Sequence, residues 1–204
     1  MSIHLFKHNQ QAYRAVTAML EKEKMAAVIH PTGTGKSLIA FKLAEENPSK
    51  HFLWLSPSEY IYQTQLEKLN MKFPNIQFMS YSRLMKNEDS IETLHPDYII
   101  LDEFHRCGAQ EWGKSVRKLL DTYPNAKRLG LSATNIRYLD NQRNMAEEIF
   151  DGKIASEMTL GEAIVREILP EPKYVIDMYS YQKELEQLKK RIRTLSNQGL
   201  ITEN

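Results

Sequence analysis

Met25-Ala26-Ala27-Val28-Ile29-His30-Pro31-Thr32-Gly33-Thr34-Gly35-Lys36-Ser37 decides the fold of this chain. An apolar run of strand length, Met25 to Ile29, feeds into a glycine-bearing loop, and a helical pattern follows from about Ser37. Strand, glycine loop and helix in that order describe a phosphate-binding loop. The glycines let backbone N–H groups turn inward on an anion, and the helix N-terminus adds its positive dipole end. In such a loop Thr32, Gly33, Thr34 and Gly35 form the cradle, Lys36 reaches the β- and γ-phosphates, and the Ser37 hydroxyl holds Mg²⁺. The plainer alternative, a glycine turn beside a surface lysine, leaves the flanking strand and helix unexplained. His30 stands where the pattern G-x-x-x-x-G-K-[ST] has its first glycine.

Two later segments say what is done with the nucleotide. Pro96-Asp97-Tyr98-Ile99-Ile100-Leu101-Asp102-Glu103-Phe104-His105 reads as a buried parallel strand that delivers two carboxylates at its C-terminal end. Asp102 there is suited to hold Mg²⁺ through the hydration shell, and Glu103 to orient or deprotonate an attacking water. Without the phosphate loop, a strand ending in a solvated acidic turn would be the simpler account. Ala126 to Thr134 is another short strand, ending in Ser132-Ala133-Thr134, which alone would be a polar turn and helix cap.

As a series, these segments resemble the first motor lobe of the superfamily 2 helicases and translocases, and most closely the restriction-subunit-like DEAD/DEAH group. Pro31 to Ser37 look like motif I, Asp102 to His105 like a DExH motif II, and Ser132 to Thr134 like motif III. The likeness extends from about Leu5 to about Met178. It implies that Gln10 reads the adenine edge, with the adjacent Gln11 as the alternative. Leu55-Ser56-Pro57 with Gln63 resembles motif Ia, and Ser80-Tyr81-Ser82-Arg83-Leu84 resembles motif Ib. That likeness implies nucleic-acid backbone contacts from Ser56, Ser82 and Arg83. It also implies catalysis by Lys36, Asp102, Glu103 and His105, with Ser132 and Thr134 coupling nucleotide state to nucleic acid. ATP and Mg²⁺ are the expected cofactors, and DNA, with RNA as the alternative, the expected partner. Asn135 replaces the proline that many relatives carry after Ser-Ala-Thr.

Composition agrees with an ordinary folded domain: 204 residues, 42% apolar and 26% charged. No apolar run approaches the ~20 residues of a membrane span, and no basic segment leads into an apolar stretch at the N-terminus. A lone cysteine, Cys107, permits no internal disulfide, so a reducing cytoplasm is expected. Cys107 near His105 lacks the second ligand pair of a zinc site. The net charge of +1 gives no basic footprint, so a nucleic-acid reading rests on the motifs. Lys189-Lys190-Arg191 with Arg193 is the densest basic cluster and reads as a solvated helix face.

Strand and helix alternate as a mostly parallel α/β sheet flanked by helices requires, the RecA-like arrangement. Ala12, Ala15, Val16, Met19 and Leu20 share one helical face; Tyr62, Leu66 and Leu69 share another, and Trp112, Val116, Leu119 and Leu120 a third. Residues 1–152 are read as the ATP-binding lobe and 153–204 as a helical extension leading toward a second lobe. In the extension Thr159 and Glu162 form a capping box for a helix running to Leu169 and stopped by Pro170. Lys173 to Met178 reads as a short strand, and Tyr181, Leu185, Leu188, Ile192 and Leu195 as a helical seam of about two heptads. No arginine-rich motif of a second lobe follows Thr134. The expectation is therefore half of a DExH-type motor, nearly inactive alone. The alternative is a nucleotide-dependent binding module without useful hydrolysis. A small phosphotransferase would leave Ser-Ala-Thr and the motif Ib-like segment without a role.

Overall fold

The computed structural model describes residues 2–137, 142–173 and 181–197. The chain opens with helix α1 (Lys7–Glu23), whose face of Asn9, Ala12, Val16 and Leu20 is buried, and strand β1 (Met25–Ile29) follows directly. Helix α2 (Lys36–Glu46), strand β2 (Phe52–Ser56), helix α3 (Glu59–Leu69), strand β3 (Ile76–Ser80) and the short helix α4 (Tyr81–Lys86) come next. Strand β4 (Tyr98–Asp102) runs into a 3₁₀ turn over Phe104–Gly108, helix α5 (Gln110–Thr122) and strand β5 (Lys127–Ser132). A small antiparallel hairpin of β6 (Ile136–Arg137) and β7 (Arg143–Asn144) leads to helix α6 (Met145–Phe150). Strand β8 (Ile154–Glu157) and helix α7 (Leu160–Val165) follow, and helix α8 spans Gln182–Asn197.

Six strands form one parallel sheet in the order β3-β2-β4-β5-β1-β8. Strand alternation divides its side chains between two apolar layers. On one face Ala26, Val28, Phe52, Trp54, Ile100 and Leu131 pack with α1 and α2. On the other Ala27, Leu53, Leu55, Ile99 and Leu101 pack with Tyr81 and Leu84 of α4, Val116 and Leu119 of α5, and Phe150 of α6. Gly130 is needed for that second layer, because a Cβ there would collide with the Phe150 ring. Strands buried on both faces read as unbroken apolar runs, which is why they were legible. Their C-terminal ends place the phosphate loop, the Asp-Glu pair and Ser-Ala-Thr on one edge, with β5 between β1 and β4.

The extension differs from its expected outline. The first compact unit runs to Pro170 rather than to residue 152, because β8 pairs with β1 and completes the sheet. Thr159 caps α7 by accepting from the Glu162 N–H, but the helix ends at Val165, and Ile168 and Leu169 lie in the turns beyond it. The strand read over Lys173 to Met178 falls largely on residues 174–180, outside the described residues. The second unit, from Glu171, contributes α8, on which Leu185, Leu188 and Ile192 are about half-exposed.

Candidate nucleotide site and nucleic-acid edge

The phosphate loop has the backbone its glycines permit. Gly33 and Gly35 adopt φ of 91° and 82°, a region that L side chains rarely enter. Gly35 is the N-cap of α2 and carries no side chain, so no side-chain cap covers the start of the helix, whose positive dipole end suits an anion. Thr34 staples the loop by donating from Oγ1 to the Pro31 carbonyl at 2.8 Å. Lys36 is buried and folds back on the loop, its Nζ donating to the carbonyls of His30 at 2.8 Å and Pro31 at 3.2 Å. Burial lowers its pKa, opposed by the charges of Glu103 and Asp102.

Across β5, strand β4 delivers Asp102 and Glu103. Asp102 is buried, and its carboxyl is pushed up to about 7 by burial and then by the neighbouring Glu103 charge. Glu103 takes a left-handed backbone conformation, φ 52°, a strained position that recurs at functional sites. His105 connects it to the next strand: Nδ1 lies 3.4 Å from Glu103 Oε2 and 2.8 Å from Ser132 Oγ. Ser132 Oγ in turn accepts from the Thr134 N–H at 3.3 Å. Glu103, His105, Ser132 and Thr134 thus form one run of polar contacts from the end of β4 to the start of β6, hydrogen-bonded from His105 onward. Burial holds the His105 pKa below its ordinary value.

A cavity of about 470 Å³ lies over this edge, walled by Thr32, Lys36, Ser37, Asp102 and Glu103 and closed by α3 through Ile61 and Gln65. Among the described residues, four buried side-chain polar atoms lack a hydrogen-bond partner: Asn9 Oδ1, His30 Nδ1, Trp54 Nε1 and Gln65 Oε1. Asn9 is bonded to the phosphate loop, His30 begins it, Trp54 adjoins Asp102 and Gln65 lines the cavity. Buried polar groups are ordinarily satisfied, so orphans beside the phosphate loop (Asn9, His30) and on the cavity wall (Gln65) suit groups supplied from outside.

The N-terminal helix departs from expectation. Gln10 is exposed and donates to the Leu5 carbonyl, away from the loop. Its neighbour Asn9 is fully buried and donates from Nδ2 to the carbonyls of Thr34 at 2.9 Å and Gly35 at 3.3 Å, and His8 Nε2 meets the Thr34 carbonyl at 2.8 Å. The reason is helical phase: position 9 shares the stripe of Ala12, Val16 and Leu20, and position 10 is turned about 100° from it. A polar residue on an apolar stripe was the available signal. His30 is also buried, its Nε2 2.8 Å from Ser156 Oγ on β8. Burial lowers its pKa to about 4, helped by the charges of His8 and Lys36. Leu169 packs at the loop, where a Cβ on Gly33 would lie 3.3 Å from its Cδ2.

The β2–β3 end of the edge is different. Ser56 is fully buried and donates to the Ser58 carbonyl at 2.7 Å, so its hydroxyl serves the turn into α3 rather than the surface. Ser80 caps α4 by accepting from the Arg83 N–H and lies 3.3 Å from Ser82 Oγ. Arg83 is exposed and lies 3.6 Å from Glu59. Tyr81, buried beneath them, donates from Oη to the Asp102 carbonyl at 2.8 Å, which ties this segment to the Asp-Glu strand.

A model of the family described as type III restriction enzyme, res subunit, matches residues 2–75 and 67–137. A comparison with curated proteins finds no match. Among solved structures, the chain resembles the DNA-bound ATP-dependent type ISP restriction-modification enzyme LlaBIII, with TM-score 0.61, 20% identity and coverage of 98% of this chain and 18% of that one. It resembles the Hef helicase domain of Pyrococcus furiosus with TM-score 0.58 and 17% identity, covering 97% of this chain and 51% of that one. The replication initiator DnaA bound to AMPPCP and single-stranded DNA matches with TM-score 0.50 and 14% identity, over 94% of this chain and 62% of that one. Likeness at these identities establishes the fold. The chain spans less than two thirds of each of these structures.

Proposed function

The chain belongs to the type III restriction enzyme res-subunit family as a helicase-type N-terminal motor lobe, and from that premise we propose that it binds ATP with Mg²⁺ and hydrolyses ATP once a second lobe completes the site. The observation that carries this reading is the convergence of an uncapped helix N-terminus, a buried lysine held on its own loop and the Asp102–Glu103 pair around one cavity. The donor set fits the ligand. Lys36 is hydrogen-bonded to loop carbonyls, and burial lowers its pKa despite the Glu103 and Asp102 charges, while Asp102 is held near protonation; a polyphosphate and a divalent cation would favour the charged form of each.

In this reading Lys36 and the first-turn N–H groups of α2 hold the phosphates, and Thr32 to Gly35 shape the cradle. Ser37 and, through water, Asp102 hold Mg²⁺, which supplies charge neutralisation to the phosphate oxygens when bound. Glu103 orients the attacking water. The chain through His105, Ser132 and Thr134 links that carboxylate to the segment after β5. Asn9, rather than Gln10, fixes the loop, and the base lies toward Phe6, His8 and Ile168, which line a neighbouring cleft. Nucleic acid, DNA in the first instance and RNA as the alternative, meets the lobe at the β2–β3 edge through Ser82 and Arg83. No helix among the described residues is long and apolar enough to cross a membrane, and the buried free thiol of Cys107 suits a reducing cytoplasm.

Steady-state ATPase assays with and without DNA or RNA test the proposal. Hydrolysis by the chain alone should be very slow, since a cationic finger from a second lobe is worth ~10³ to 10⁵ in rate. A longer chain carrying both lobes should be fast, stimulated by nucleic acid and inactivated by Glu103→Gln. Rapid turnover by the chain alone that survives Glu103→Gln would overturn the assignment. Nucleotide binding with no turnover in the two-lobe protein would instead establish a binding module.

A further inference from the structure

Trp54 is one of two tryptophans in the chain and is fully buried in β2. Phe41 and Phe78 pack on its ring, with centroids 4.6 Å and 5.6 Å away. An aromatic box of this kind offers no acceptor, and the indole N–H makes no hydrogen bond. Phenylalanine would fill the same layer without burying an unmade donor. The donor therefore calls for a partner outside the box.

Strand register supplies the direction. Trp54 pairs with Ile100 across β2 and β4, so the two side chains share a face of the sheet, and Asp102, two residues on, returns to that face. The indole lies near enough to the Asp102 carboxyl to favour its charged form, while its N–H meets the geometry of a hydrogen bond with no acceptor. Tyr81 Oη already anchors the Asp102 backbone carbonyl. On the carboxyl group itself, the Glu103 backbone N–H and the Trp54 indole are the neighbouring donors that favour the charged form.

We propose that Trp54 is a positioning residue whose indole N–H closes onto one oxygen of the Asp102 carboxylate when a divalent cation and nucleotide occupy the site, turning the other oxygen toward the cation's hydration shell. Carboxylates that serve a metal are themselves oriented by hydrogen bonds from behind, and Trp54 is the donor in place to do this. The inference rests on the reading of the cavity as a Mg²⁺–nucleotide site.

The test is ¹H–¹⁵N NMR of the indole N–H groups, of which there are two, combined with calorimetry using ADP. Trp54→Phe removes one resonance and so assigns it; should that variant fail to fold, Trp112→Phe assigns the other. The Trp54 resonance should move on saturation with Mg²⁺ and ADP and stay in place with ADP in EDTA. Trp54→Phe should weaken ADP binding about tenfold in Mg²⁺ while changing it less than about twofold in EDTA, a split that a purely structural loss would not produce. A wild-type chain that binds ADP in Mg²⁺ with an unmoved Trp54 resonance overturns this inference alone, as does an equal loss in both buffers. A wild-type chain that binds no nucleotide overturns the site reading and this inference together.

Discussion

The two ends of one sheet edge are built differently. At β1, β5 and β4, the edge carries the unpartnered Asn9 Oδ1 and His30 Nδ1 beside the phosphate loop, glycines at positive φ, a strained glutamate and charges held away from their ordinary pKa values. At β2 and β3, Ser56 is satisfied by its own turn, Ser82 by Ser80, and Arg83 lies exposed beside Glu59. A group buried without its partner raises the energy of the empty site and is relieved by a ligand, whereas an exposed, satisfied group gains little from one. The first end should therefore bind through a few indispensable residues, and the second weakly through many replaceable ones.

The largest effect should come from Lys36→Ala, which removes the one buried cation of the loop. Nucleotide affinity should fall on the order of a hundredfold, measured by calorimetry. Equal affinity in both proteins would erase the distinction between the two ends.

His30 gives the next effect, in stability. Its folded pKa of about 4 lies below the ordinary 6.5, so between these values the unfolded chain binds a proton that the folded chain does not. The stability contributed by the neutral ring is complete above pH 6.5 and is lost as pH falls toward 4, amounting to roughly 3 kcal/mol. Asp102, raised to about 7, acts with the opposite sign across much of the same window, its contribution declining as pH rises. The difference between wild type and His30→Gln in urea denaturation at pH 7.5 and 4.5 isolates the histidine. A difference that does not change with pH would show that the ring is protonated in the folded chain.

Asn9 and Gln10 sharpen the comparison within one helix. Asn9→Ala removes both loop carbonyl bonds and should weaken nucleotide binding about tenfold, while Gln10→Ala should remain within about twofold. The reverse order would restore Gln10 as the residue that reads the base. The smallest effect belongs to the other end: Arg83→Ala should weaken single- and double-stranded DNA and RNA alike, by about threefold at low salt. Its salt dependence should be shallower than that of a protein making ~6 to 10 phosphate contacts. Fluorescence anisotropy across a salt series checks this, and a sequence-selective loss would mean that the second end is a built site after all.

Legibility followed the same division. The strand-end placement of the phosphate loop, Asp-Glu-Phe-His and Ser-Ala-Thr was readable because each is a short run at or directly after the end of its own apolar strand. The inward turn of Ser56 and the exposed setting of Gln10 were not readable, because identity in a motif does not say which way a side chain turns; burial and helical phase do. The β6–β7 hairpin and the β8 pairing were not readable, since strands of two and four residues carry too little periodicity.

The sequence by itself determined a parallel α/β lobe with a phosphate loop facing an acidic strand end. Glycine conformational freedom, apolar run length and carboxylate chemistry are properties of neighbouring residues. Only the tertiary structure decided what surrounds that loop. Asn9 reaches it across 25 residues, Tyr81 meets Asp102 across 21, and His30 meets Ser156 across 126. Those contacts depend on which strands lie side by side, and strand order arises from packing two apolar layers against one sheet, which no local run of residues encodes.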